Sequence, residues 1–98
     1  MHMEKRNNLY HLNLREVSLK DGTEGSKKMS FTFSNHDDLF EIFERLKTKN
    51  IFEDEQTAHE FALGLKLFTE VMIAQKDHPL FEELRPSVVQ FMKKLKSM

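Results

Sequence analysis

The chain has 98 residues, no cysteine and no tryptophan, and its 15 Lys and Arg nearly cancel its 16 Asp and Glu. That length is one domain (residues 1–98) by the usual size prior, with a core of modest volume. The balanced charge argues against a chain drawn to nucleic acid or an anionic membrane by its field, and the missing thiols exclude disulfides, cysteine nucleophiles and cysteine-bound metal.

The first residues, MHMEKRNNLY, lack the apolar core of a secretory signal. Residues 1–8 are expected to be disordered or tag-derived, His2-Met3 being open to reading as a cloning remnant. No apolar run reaches the roughly 18 residues of a membrane span, so the expected location is cytoplasmic.

Residues 9–19 and 28–34 read as strands. Tyr10, Leu12 and Leu14 alternate with His11, Asn13 and Arg15, and Met29, Phe31 and Phe33 alternate with Ser30, Thr32 and Ser34, the period of two of a half-buried strand. After Arg15 the apolar phase flips to Val17 and Leu19, which signals a bulge or the end of the regular strand. KDGTEGS between the strands, with two glycines to take positive φ, predicts a hairpin.

Asn35 is expected to cap a helix with Asp37 and Asp38 in its first turn. Leu39, Phe40, Ile42, Phe43 and Leu46 make its apolar side and Asn50 its stop. Asp54 starts a second helix running to about Lys76. Asp77-His78-Pro79 starts a third, with Asp77 as cap, in which Phe81, Leu84, Val88, Phe91 and Leu95 form one stripe. Because the stripe stays in phase across Pro86, the spacing favours a kinked but continuous helix over two separate ones. The fold class is therefore α+β: a two-stranded antiparallel hairpin followed by three helices (β-β-α-α-α), the helices packed on the hairpin's apolar face.

The most telling segment is FALGLKLFTEVMIA, residues 61–74, where only Lys66, Thr69 and Glu70 are strongly polar. At about 100° per residue, Ala58, Phe61, Leu65, Phe68 and Met72 share one stripe, and Leu63, Gly64, Leu67, Val71 and Ala74 fill the adjoining arc. A helix this apolar needs cover on more than one side. Phe61, Leu63, Gly64, Leu67, Val71 and Ala74 are accordingly interface candidates, and a homodimer is the expected state. Gly64 in a helix interior costs roughly 1 kcal/mol relative to Ala, a cost that close approach by another element would explain. The hairpin's open edges point the same way.

Polar chemistry is thin. Glu55 and His59 lie one turn apart, but His59-Glu60 is followed by Leu63 where a zinc-binding HExxH needs its second His. A solvated pair is the plainer reading. His36 beside Asp37 and Asp38 suits a helix start better than a site, His78 suits a helix boundary, and His11 belongs to the wet face of the first strand. No serine sits in a GxSxG elbow and no glycine pattern cradles phosphate, so no catalytic residue, metal ligand or cofactor is assigned. Lys27, Lys28, Lys93, Lys94 and Lys96 would carry any nucleic-acid contact, a weak reading without net positive charge.

Three stretches, NHDDLFEIFERLK at 35–47, LGLKLFTEVM at 63–72 and HPLFEELRP at 78–86, resemble a family of small, mostly bacterial proteins known only as a domain of unknown function. The resemblance implies a bacterial cytoplasmic setting and transfers no activity. The sequence thus leads to a self-associating protein-interaction module, with room for a further protein partner. The alternative is a small-ligand binder or enzyme with a pocket between hairpin and helices, using His36, Glu55, His59 and His78.

Overall fold

The computed structural model of the protein describes residues 7–98. The elements are β1 (Asn8–Arg15), β2 (Lys28–Asn35), α1 (Leu39–Lys49), α2 (Glu55–Ala74), a 3-10 turn (Pro79–Phe81) and α3 (Arg85–Ser97). This is the expected α+β order of an antiparallel hairpin and three α-helices. The expectation for the N-terminal tail falls outside the described residues as far as residue 6. Asn8, by contrast, is already paired with Asn35 in the ladder. The chain divides into two compact units, one through Asp37 and one from Asp38 onward.

In the first unit the alternation fixes the register. Tyr10 faces Phe33, Leu12 faces Phe31 and Leu14 faces Met29, so the apolar side chains of both strands share one face. The Tyr10 and Phe33 rings lie 5.6 Å apart and tilted, a cross-strand aromatic pair of the kind that stabilises a hairpin. On the other face a His11 ring nitrogen lies 2.9 Å from the Thr32 hydroxyl.

The phase flip after Arg15 is where the regular ladder ends. Glu16 N–H still donates to Lys27 O (2.8 Å), while the Glu16 carboxylate turns back to accept from Ser26 N and Lys27 N at 3.2 and 2.8 Å. Beyond it only an isolated bridge joins Ser18 to Glu24. The two loop glycines do different jobs. Gly22 takes the left-handed conformation at φ 90°, beside Asp21, whose carboxylate accepts from Thr23 N and Oγ1. Gly25 is needed for space rather than for φ: a Cβ there would stand 2.3 Å from Glu16 Cβ and 2.8 Å from Glu16 C.

β2 runs to Asn35, one residue past the expected strand end, which displaces the expected cap. Asn35 is buried and its side-chain oxygen accepts from Asp37 N at 3.0 Å, so it closes a turn after the strand. Asp38 caps α1 instead, accepting from Phe40 N and Glu41 N.

In the second unit α1 stops at Asn50, as its sequence signals, with φ 59° and its N–H on Leu46 O and Lys47 O. Asp54 caps α2 through Thr57 N (2.7 Å) and Thr57 Oγ1 (2.9 Å). The core is small: Leu46, Ala58 and Ala62, with Ile42, Phe43, Ile51, Phe52, Phe61 and Leu95 packed against it. Ala58 and Ala62 leave little side chain between α2 and its neighbours, so α1 lies close and Phe52 and Phe61 fill the margin, their rings 5.1 Å apart. Phe40, expected on the buried side of α1, is 68% exposed.

After α2 the chain breaks rather than kinks. His78, not Asp77, caps the 3-10 turn, its Nδ1 accepting from Leu80 N at 3.1 Å. α3 then begins at Arg85 with Pro86 in its first turn, where a missing N–H leaves no hydrogen bond unmade. Arg85 reaches back to α2, its guanidinium donating to Lys76 O (2.7 Å) and Met72 O (3.5 Å).

Candidate interaction surface

α2 has two unlike sides. Ala58, Ala62, Thr69 and Met72 are buried, and at about 100° per residue they span a single arc. Across the helix from that arc stand Gly64, Val71 and Ala74, all exposed, with half-buried Leu63 and Leu67 beside them. Val71 is 53% exposed and Phe68, at the strip's margin, 40%. Five of the six residues singled out by periodicity therefore form one apolar strip at the surface. The sixth, Phe61, does not belong: its ring lies 5.1 Å from Phe52 and 6.1 Å from Phe91, so it serves the chain's own packing.

Gly64 sits in the middle of that strip, and apart from its chain neighbours and the backbone of its own helix no atom lies within 4 Å of where its Cβ would be. The close approach expected to explain it is not made by any part of the described chain. The recess is open.

Further apolar groups stand exposed around the helical unit. Leu80 is 72% exposed and Leu84, a member of the expected apolar stripe, 43%; of the three apolar residues in HPLFEELRP only Phe81 is buried. Its ring meets Phe68 edge-on at 6.0 Å. α3 contributes no buried residue at all, and Phe91 is 45% exposed. Periodicity could not separate these from core positions, because an unpartnered apolar stripe and a buried one have the same spacing.

The polar candidates do not assemble a site of catalytic type. Glu55 lies 3.9 Å from His59 and 3.5 Å from Lys47, all with side chains about half exposed; the His59 ring also stacks beside Phe43 at 5.0 Å. His36 pairs with its neighbour Asp37 at 3.4 Å, and His78 is occupied as a cap. Among the described residues no three His, Asp or Glu side chains gather as metal ligands, and no helix is long and apolar enough to cross a membrane. A depression of about 170 Å³ on the hairpin, lined by Leu14, Glu16, Lys27, Lys28 and Met29, is smaller than the usual 300–1,000 Å³ of a ligand pocket. Asp21 and Asp54 are held below the usual carboxylate range, each chiefly by hydrogen bonds from a threonine, Thr23 and Thr57 respectively.

Comparison with known proteins gives the chain relatives but no activity. The model of a family described as a domain of unknown function with solved structure, DUF3861, matches residues 8–97. A crystal structure at 2.20 Å of a protein of unknown function (eca1910) from Pectobacterium atrosepticum SCRI1043 is similar at 35% identity and a TM-score of 0.83, covering 95% of this chain and 100% of that one. No curated protein matches. The chain belongs to the DUF3861 family.

Proposed function

We propose that this DUF3861 member is a small cytoplasmic protein-interaction module that associates with itself and works by binding rather than catalysis. The observation that carries the proposal is the apolar strip of α2: Leu63, Gly64, Leu67, Val71 and Ala74 line the surface of a helical unit whose own core is filled by other residues. Apolar surface left in water costs on the order of 25 cal/mol per Å², and a contiguous strip of it marks a docking surface more often than an accident of composition. A second copy of the chain is the occupant that is always present at matching concentration, and the same strip would serve a further protein partner.

Sedimentation of the full chain from about 1 to 100 μM tests this reading. A concentration-dependent dimer, with thermal stability that falls on dilution, is expected. A single monomeric species throughout, with a melting temperature independent of concentration, would overturn it.

A further inference from the structure

Self-association, if α2 mediates it, has a definite geometry. Val71 follows Gly64 by seven residues, two helical turns, which places them about 20° apart on the circumference and about 10 Å apart along the axis. One is a recess, with nothing within 4 Å of its Cβ position, and the other is a projecting branched side chain, 53% exposed. A two-fold axis crossing the helix midway between them, at Leu67 and Phe68, exchanges recess and projection.

The geometry points to an antiparallel pairing of α2 with α2 of a second copy, in which Val71 of each chain seats over Gly64 of the other. This rests on the self-associating reading and adds the surface, the direction and the register. Parallel pairing would set recess against recess and valine against valine. It would also bring Glu60 against Glu60, whereas the antiparallel arrangement separates the two and carries exposed Glu60 of one chain to the level of exposed Gln75 of the other. Opposed helix dipoles favour the same direction. At Gly64 the missing side chain lets the axes approach toward the short end of the usual 8–10 Å. Two helices about 30 Å long in contact along one face bury less than the roughly 1,200 Å² at which stable interfaces begin, so the pairing is weak and reversible.

The chain has no cysteine, so a single introduced thiol can cross-link only to another chain. Gly64→Cys and Val71→Cys are prepared separately and oxidised mildly, alone and as an equimolar mixture. Disulfides need Cβ atoms about 4 Å apart, so the mixture is expected to form a covalent heterodimer several-fold faster than either variant cross-links with itself. Gly64→Leu fills the recess from a Cβ position that has open space around it, and is expected to weaken the sedimentation dimer at least about tenfold, or about 1.4 kcal/mol. Self-cross-linking of either variant at the rate of the mixture, or a Gly64→Leu dimer of undiminished affinity, would overturn this pairing and leave self-association standing. A chain that stays monomeric at every concentration overturns both.

Discussion

The hairpin loop and the middle of α2 each hold a glycine, and the two invite opposite explanations. Gly25 is accounted for entirely within its own unit: any side chain would drive into Glu16, whose carboxylate is already committed to the backbone of residues 26 and 27. Gly64 is accounted for by nothing in its unit, since its Cβ position is empty space. A glycine imposed by local geometry is a statement about folding. A glycine that local geometry would gladly replace is a statement about something outside the chain.

Four measurements break or sharpen that contrast. The largest effect is expected from Gly25→Ala, because the contact at risk includes backbone atoms that cannot swing aside; a loss of about 2–3 kcal/mol in urea unfolding is expected. Glu16→Ala is next. It removes the acceptor for two backbone donors at the edge of the hairpin, and a loss of about 1–1.5 kcal/mol is expected, with hydrogen exchange accelerated at Ser26 and Lys27. Gly64→Ala should move the other way. Under dilute, monomeric conditions it is expected to raise stability by about 0.5–1 kcal/mol, through helix propensity and a less flexible unfolded chain; a loss instead would mean that the recess is occupied within the chain. The smallest effect is on acid stability. Asp21 and Asp54 hold their protons less tightly when folded than unfolded. Their contribution is therefore present at neutral pH and drains away as pH falls below about 4, through the lowered folded values. Asp21→Asn and Asp54→Asn should each flatten the acid limb of a stability-versus-pH curve.

Much of this fold was legible in the residues. Alternation gave the strand register, and the slip after Arg15 marked the end of the ladder, because period two leaves no other way to keep one face apolar. Asp54 and Asn50 announced their caps. The run Asn35-His36-Asp37-Asp38 offered three capping side chains in four positions, and the choice fell to Asp38 because β2 extends far enough to use Asn35 in its own closing turn. Pro86 was hidden differently: the spacing from Phe81 to Leu95 is helical in the sequence, yet the chain leaves a 3-10 turn at Phe81 and starts a fresh helix at Arg85, with Phe81 buried and Leu84 exposed. The strip on α2 was legible as an arc but not as a surface. Removing Phe61 from it and setting Phe68 at its margin required knowing which rings Phe52, Phe81 and Phe91 would meet, and that is decided between elements far apart in sequence.

The guanidinium of Arg85 carries one last implication. The final turn of α2 has no basic residue of its own, and its terminal carbonyls lack partners within the helix. Arg85, at the opening of α3, brings a charge there and donates to Met72 O in that turn and to Lys76 O just past it. The corner between the two helices is thus tied by a planar fork, beside the apolar contacts that Phe91 and Leu95 of α3 make with Phe61 and the core. Lysine in its place would keep the charge and lose the fork, leaving the contacts of Phe91 and Leu95 to hold α3 against the core without it.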